Sequence, residues 1–464
     1  MSSGYRNGQV SHWLAGTGPT RTSWAPGTGP REVDVAIVGG GLTGLWAAYY
    51  LQEHRPSLSV AVLEAEHVGY GASGRNGGWA SHLIPGNRAR YARGPRGAAG
   101  ARDFQRAMFD GIDELLAVCA REGIDADQTR GGNLVLATTP AAAGRLTARR
   151  DGDLRFGLTE DQVHWLDGAQ ARARVNAEHV TGGLYYPAVA RIHPGKLVTG
   201  LAAVVERRGV TIFERSRVQA VGPGGVRLAT GDLKAGHVLV CTEGYGIPLL
   251  GRRSMIPVNS SMIVTHPLSE RDWDDIGWGA AECLSDAAHT FVYAQRTADG
   301  RIAIGGRGAP YRFQSGTGGD GVTPAATVRQ LVGRLDRYFP RAGVEVAHAW
   351  SGVLGVTRDW CARVSYDRGT RVGTSGGYAG HGVTATNVGA RTLVDLTLGR
   401  DTALTRLPWV GYRSPRWEPE PLRWLGVHGM YELFRIADAR EEKRSLAKTS
   451  LIARVGSRLA GLHE

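Results

Sequence analysis

A glycine-rich turn near the start of the chain is the clearest feature that could do chemistry. Gly39, Gly41 and Gly44 follow the spacing G-x-G-x-x-G, directly after a run rich in β-branched residues at 33–38. Such glycines permit a tight turn and a close approach to a pyrophosphate, whose charge the N–H groups of the following helix bind. Glu64 ends the next apolar run, about twenty residues after Gly44, where a carboxylate can accept ribose hydroxyls. The spacing therefore predicts a dinucleotide site without a 2′-phosphate.

A second glycine-rich stretch, GYGASGRNGG at 69–78, indicates which dinucleotide binds. It holds too much glycine for a crossover helix, and its backbone N–H groups and the Ser73 hydroxyl suit a phosphate or the polar edge of a ring. The segment resembles that of FAD-dependent oxidoreductases related to D-amino acid oxidase, glycine oxidase and sarcosine oxidase, most of all the γ-glutamylputrescine oxidase branch. The resemblance implies non-covalently bound FAD, with this loop along the pyrophosphate and beneath the isoalloxazine.

Three later segments, 190–197, 238–244 and 376–384, are similar to the same family, so the resemblance covers most of 33–400. It implies that the last one begins a helix, ending near Leu398, against the pyrimidine end of the flavin, where helix N–H groups stabilise negative charge. The residues expected to contact FAD are Gly39, Gly41, Leu42, Thr43, Gly44, Glu64, Ala65, Gly71, Ala72, Ser73, Arg75, Asn76, Gly77, Gly78, Val218, Thr242, Gly244, Gly380, His381, Gly382, Val383 and Thr384.

These patterns predict an α/β fold (α+β overall) with a discontinuous Rossmann-like FAD-binding domain, a substrate domain and a C-terminal helical tail. The expected boundaries are 1–30 for an N-terminal arm anchored by Trp13 and Trp24, 31–90, 190–250 and 346–404 for the FAD domain, 91–189 and 251–345 for the substrate domain, and 405–464 for the tail. The resemblance implies an antiparallel sheet in the substrate domain. In the tail, apolar spacing predicts helices from Leu425 to Ala437 and from Leu446 to Leu459.

The resemblance implies oxidation of a primary or secondary amine to an imine by hydride transfer to flavin N5, followed by hydrolysis. Oxygen would then take the electrons and give hydrogen peroxide. Because the cofactor does the chemistry, no triad or carboxylate pair is expected. Candidate substrate-side residues come from segments over the ring, and each could equally be structural. They are His82, Tyr293, Arg296, Arg307, Trp360 and His381, with Tyr311 beside them.

Two departures from the family narrow the substrate and the acceptor. Leu354 stands where glycine and D-amino acid oxidases carry the arginine that binds the substrate carboxylate, so a simple α-amino acid is disfavoured. Ala303 stands where sarcosine oxidases place an oxygen-activating lysine, so fast reaction with oxygen does not follow from the resemblance. An amine dehydrogenase with another acceptor therefore stays open. An NAD(P)H-dependent flavin monooxygenase, a tRNA-modifying flavoprotein and a non-catalytic flavoprotein stay open as well.

Composition excludes several classes of protein. The net charge is +12, but only four of the 55 basic residues are lysines and the arginines form no runs, which argues against a nucleic-acid partner. The four cysteines have neither zinc nor C-x-x-C spacing, so no metal site is expected and a reducing cytoplasm fits. No apolar stretch is long enough to span a bilayer and no signal peptide is evident. These observations predict a cytoplasmic protein.

Overall fold

A computed structural model describes residues 4–16, 21–251, 253–306, 311–318, 320–444, 446, 448–450, 453 and 456. The α-helices are Leu42–His54 (α1), Arg88–Tyr91 (α2), Gly97–Glu122 (α3), Pro140–Arg155 (α4), Gly168–Arg174 (α5), Pro194–Arg207 (α6), Ile247–Leu250 (α7), Glu270–Ile276 (α8), Ala325–Tyr338 (α9), Gly382–Thr397 (α10) and Leu422–Arg444 (α11).

The strands are Arg6–Asn7 (β1), Glu32–Val38 (β2), Val60–Leu63 (β3), Trp79–Ala80 (β4), Asn133–Ala137 (β5), His164–Asp167 (β6), Gly182–Tyr186 (β7), Ala190–Arg191 (β8), Thr211–Phe213 (β9), Val218–Gly222 (β10), Gly225–Leu228 (β11), Gly231–Val240 (β12), Ile256–Thr265 (β13), Cys283–Asp286 (β14), Val292–Arg296 (β15), Ile302–Gly306 (β16), Val346–Val356 (β17), Arg363–Asp367 (β18) and Val372–Gly376 (β19).

The first sheet has a parallel centre in the order β9-β3-β2-β12-β19. Strand β3 and the C-terminal ends of β2 and β12 are apolar and buried, because both faces of a parallel sheet are covered. Helices α1, α3, α6 and α10 pack on one face around Trp46, Phe104 and Leu393, while Trp24 and Phe213 lie in the cluster on the other. The connections bring the carboxyl ends of β2, β3, β12 and β19 to one edge, where such sheets bind ligands.

The second sheet runs β1-β17-β13-β16-β15-β14-β5-β7-β6. Most of its pairs are antiparallel, and the exceptions are β1 with β17 and β14 with β5. One face packs on α8 and α9 around Ile263, Ile304 and Leu331, and the other face turns toward the glycine-rich loop. The predicted fold class, an α/β cofactor domain beside an antiparallel sheet, is confirmed.

The C-terminal tail crosses from the cofactor domain to the second sheet. Trp417 Nε1 donates to the Val356 carbonyl at 2.9 Å, and farther along, the Asp438 carboxylate accepts the N–H groups of His289 and Thr290 at 2.8 Å. Helix α11 contains the first predicted tail helix, whereas most of the second lies outside the described residues. None of the helices in the described part of the chain is long and apolar enough to cross a lipid bilayer.

Candidate functional site

The turn between β2 and α1 has glycine where a side chain could not fit. Gly39 has φ +109°, and a Cβ there would lie 2.7 Å from the Cys241 carbonyl oxygen. A Cβ on Gly41 would lie 2.8 Å from Ser73 Oγ, and one on Gly44 would overlap the Gly39 carbonyl oxygen. The Ser73 hydroxyl accepts the N–H of Leu42 at 2.8 Å, which joins this turn to the second glycine-rich loop.

Glu64 lies at the carboxyl end of β3, beside the turn. Its carboxylate accepts the N–H of Gly40 at 2.7 Å and the N–H of Glu66 at 2.9 Å. Burial raises the pKa of Glu64 despite these two donors. A carboxylate fixed in this way still has lone pairs with which to accept ribose hydroxyls.

The second glycine-rich loop is held from several sides. Arg75 is buried, with Nε donating to the Tyr70 carbonyl at 2.7 Å and Nη1 to the Ser351 carbonyl at 3.0 Å. Asn76 Nδ2 donates back to the Ser73 carbonyl at 2.8 Å, and its Oδ1 accepts the N–H of Gly78 at 2.8 Å. These bonds give a glycine-rich backbone one fixed conformation, so its N–H groups are preorganised.

Helix α10 begins beside this loop. Gly380 has φ +106°, and His381 immediately precedes the first helical residue, Gly382. Thr43 Oγ1, in α1, lies 3.3 Å from the hydroxyl of Tyr378, which ties the two helix N-termini together. The positive ends of both helix dipoles thus lie near each other, as binding of the negative parts of a dinucleotide requires.

Four buried polar atoms around the cradle have no hydrogen-bond partner among the described residues. They are Arg75 Nη2, Trp79 Nε1, Thr242 Oγ1 and Thr384 Oγ1. Buried polar atoms are rarely left unpaired, and these belong to the segments expected to surround a flavin. The residues present therefore fit FAD, which would supply partners for such atoms.

Glu243, which the sequence analysis did not single out, joins three segments at the carboxyl edge of the parallel sheet. Its carboxylate accepts the N–H groups of Gly377 at 2.7 Å, Tyr378 at 3.1 Å and Gly355 at 3.2 Å. Burial raises the pKa of Glu243 to about 7 against these donors. An acid three residues after the end of β12 was the available sequence signal.

Tyr293 is the candidate that the structure brings closest to the loop. A Cβ on Gly77 would lie 2.8 Å from its ring, and a Cβ on Gly305 would overlap the ring. The phenol oxygen lies 2.8 Å from Ser260 Oγ, and the ring of Trp79 meets it edge-on at 6.1 Å. Leu354 shares this face of the sheet. The register aligns Trp350 with Met262, Met262 with Gly305 and Gly305 with Tyr293, so these side chains share one face. Leu354 lies four residues after Trp350 on the same strand, and side chains alternate between faces, so it is on that face too.

His82 is buried among aromatic side chains. Its ring stacks on Phe109 at 5.0 Å and lies tilted against Tyr186 at 4.6 Å, and neither nitrogen has a partner among the described residues. Burial lowers the pKa of His82 to about 3, so the imidazole is neutral at physiological pH.

Other candidates lie elsewhere. Arg296 is on the opposite face of β15 from Tyr293, with its guanidinium 4.0 Å from the Trp273 ring centroid and a hydrogen bond to the Trp278 carbonyl. It therefore lies on the other side of the sheet from Tyr293. Tyr311 donates to Glu420 at 2.6 Å, whereas Trp360 packs in the cluster that contains Ala379. Arg307 lies outside the described residues.

The remaining predicted cofactor residues line the same cradle or its surroundings. The ring of Tyr245 would lie 3.5 Å from a Cβ on Gly71, and the Ala72 carbonyl accepts Asn76 Nδ2 at 3.1 Å. Val218 begins β10 in the apolar cluster that contains Leu63. Ala65 and Gly382 are half-buried, and Gly78, Gly244 and Val383 are buried.

Comparisons with known proteins agree with this geometry. The family described as FAD dependent oxidoreductase (DAO) matches residues 34–396. Gamma-glutamylputrescine oxidoreductase of Escherichia coli (strain K12) is 30% identical over 414 residues, which cover 85% of this chain and 91% of the relative. Glycine oxidase from Geobacillus kaustophilus has the same fold, with a TM-score of 0.69 and 20% identity over 83% of this chain and 100% of that one. The FAD-bound L-alpha-glycerophosphate oxidase of Mycoplasma pneumoniae gives a TM-score of 0.66 at 15% identity, and the match covers 80% of this chain and 95% of that one.

Proposed function

Because the chain belongs to the DAO family of FAD-dependent oxidoreductases and FAD is its cofactor, we propose that it oxidises a primary or secondary amine to an imine. Water then hydrolyses the imine to a carbonyl compound and the remaining amine or ammonia. Bound FAD supplies the acceptor for the hydride that leaves the carbon next to the nitrogen. The choice of substrate rests on one observation, which is the kind of side chain found on the face of the second sheet next to Gly77.

That face is apolar and aromatic with few charges. Across the described strands β13, β15, β16 and β17, the positions facing the loop include Tyr293, Ala303 and Leu354 and contain neither arginine nor lysine. A substrate carboxylate close to the reacting carbon would have no arginine or lysine of these described strand positions as a partner, and burying it unpaired is costly. An amine on an uncharged carbon chain fits better, and the similarity to gamma-glutamylputrescine oxidoreductase supports a diamine derivative.

The amine has to react in its neutral form. Only a neutral amine has the lone pair that assists departure of the hydride. A nearby positive charge disfavours protonation of the amine and so favours the reaction, whereas a nearby negative charge stabilises the protonated amine and slows it. His82 stays neutral because its pKa is about 3, so it adds no charge and offers one N–H donor and one acceptor. Tyr293 and Leu354 exclude water and orient the chain. The N-terminus of α10, with His381 and Thr384, favours negative charge on the cofactor side.

We further propose oxygen as the electron acceptor, with a dehydrogenase as the second candidate. The observation that favours the second candidate is Ala303, which is fully buried and packs in a cluster with Trp13 and Trp350. No cationic side chain occupies that position to promote the reaction with oxygen.

The test is to incubate the purified protein in air with a panel of amines, α-amino acids and aminophosphonates. Hydrogen peroxide and carbonyl product are then quantified, with reduction of an artificial dye under nitrogen as a parallel assay. We expect an amine to give peroxide and carbonyl compound in equal amounts. Dye reduction without peroxide would establish a dehydrogenase, and no turnover with any amine in either assay would contradict amine oxidation.

A further inference from the structure

An N-terminal segment packs directly against the second glycine-rich loop. The Ser11 hydroxyl donates to the Gly74 carbonyl, and Trp13 Nε1 donates to the Asn76 carbonyl at 2.9 Å. Ser11 and Trp13 are both fully buried, although they precede the cofactor turn by about 25 residues of chain. An arm of this kind therefore contributes to the interior of the cofactor site.

The indole of Trp13 fills the space between the loop and the second sheet. It packs with Met262, Ala303 and Trp350, and its ring meets those of Trp350 at 5.8 Å and His193 at 5.0 Å. The arm also packs closely against Gly195 at the start of α6. A Cβ at that position would overlap the Trp13 carbonyl oxygen, so only glycine leaves room for the arm there.

The next arm residue, Leu14, reinforces the fit. A Cβ on Gly74 would lie 2.9 Å from Leu14 Cγ, so a larger residue in the loop would exclude the arm. The loop and the arm are complementary at Gly74 in both hydrogen bonding and shape.

Fixing these two carbonyls also fixes the opposite side of the loop. A peptide group is planar and trans, so its N–H points away from its C=O. When Trp13 holds the Asn76 carbonyl, the N–H of Gly77 is directed away from the arm. Gly77 lies beside the ring of Tyr293, and its carbonyl accepts Gln295 Nε2 at 2.7 Å, so the arm and the second sheet together fix this part of the loop.

We propose that Ser11 and Trp13 are positioning residues that set the conformation of the flavin-binding loop, so that arm docking and FAD binding stabilise each other. Linkage requires this effect to be reciprocal: the arm raises the affinity for FAD and FAD protects the arm from opening. The inference rests on FAD as the cofactor and is independent of the substrate.

The test compares two tryptophans of the same arm. Trp24 is as buried as Trp13 and also uses Nε1, donating to the Pro30 carbonyl at 3.1 Å, but it packs on the far face of the parallel sheet. Trp13→Phe and Trp24→Phe thus remove the same atoms at different places. FAD is stripped from each full-length protein and its dissociation constant measured by flavin fluorescence.

We expect Trp13→Phe to weaken FAD binding about tenfold and Trp24→Phe to change it less than about twofold. Ser11→Ala, which removes one hydrogen bond without a cavity, should weaken binding about threefold and serves if Trp13→Phe does not fold. Hydrogen exchange of residues 4–16 should slow on addition of FAD. Equal weakening by both tryptophan variants, or exchange in the arm that ignores FAD, would overturn the proposal.

Discussion

The Ser73 hydroxyl accepts the backbone N–H of Leu42 at 2.8 Å and so joins the two glycine-rich segments of the cofactor cradle. Leu42 begins α1, so its N–H is one of the helix donors that have no partner within the helix. The bond orients the second loop against the first. Both segments were expected to contact FAD, and this hydrogen bond, together with the one from the Gly69 N–H to the Gly40 carbonyl at 3.1 Å, holds them side by side.

Ser73→Ala should weaken FAD binding about three- to tenfold, because one neutral hydrogen bond between the two loops is lost. The dissociation constant is measured on protein reloaded with FAD. Ser59→Ala is the matched control, since the Ser59 hydroxyl bonds to Asp34 at the opposite end of β3, away from the cradle. Equal losses in both variants would show that Ser73 acts only through general stability.

Tyr293→Phe should lower kcat/KM for the best amine about tenfold or more, since it removes the hydroxyl that lies 2.8 Å from Ser260 Oγ and keeps the ring beside Gly77. Flavin content should stay unchanged. Tyr185→Phe removes a comparable hydroxyl, which donates to the Gly131 carbonyl at 3.0 Å, and should keep full activity. An unchanged kcat/KM in Tyr293→Phe would show that this hydroxyl takes no part in binding or oxidising the amine.

Leu354→Arg should shift preference toward amines that carry a carboxylate. A guanidinium on this face could form charge-assisted hydrogen bonds with the carboxylate, and the ratio of kcat/KM for an α-amino acid to that for an uncharged amine should rise about tenfold. Leu425→Arg adds the same charge at an exposed position of α11 and should leave the ratio unchanged. An unchanged ratio in Leu354→Arg would place this residue outside the substrate site.

Glu243 should make stability depend on pH. Its pKa rises from 4.5 to about 7 on folding, so the folded protein holds a proton that the unfolded chain releases between these values. Its stabilising contribution is complete below about pH 4.5 and is lost as pH rises through about 7.

Glu243→Gln cannot titrate, but its amide would face one of the three N–H donors and lose that bond. The variant should therefore be less stable at about pH 5, and the gap should narrow toward about pH 8, by roughly 3 kcal/mol at most. The free energy of urea unfolding at both pH values checks this. A gap that stays constant would contradict the raised pKa.

The parts of the fold that depend on neighbouring residues were predictable from the sequence. The turn from 39 to 44, Glu64 and the start of α10 follow from glycine spacing and strand and helix patterns, which act over short stretches of chain. The first tail helix, predicted from Leu425 to Ala437, lies within α11 for the same reason.

The rest depends on contacts between distant segments. The role of Glu243 depends on Gly355 and Gly377, more than 100 residues later, which present their N–H groups to it. Arg296 and Tyr293 belong to one strand, and only the register decides which of them faces the loop. The role of Trp13 likewise requires knowing that an arm returns to Asn76.

The most direct test of amine oxidation is the visible absorbance of the purified protein under nitrogen while amines are added, with NADPH in a separate cuvette. The account predicts a bound flavin whose absorbance near 450 nm is bleached by at least one amine and unaffected by NADPH. Bleaching by NADPH alone would establish a monooxygenase instead, and a protein that binds no flavin would contradict the account at its base.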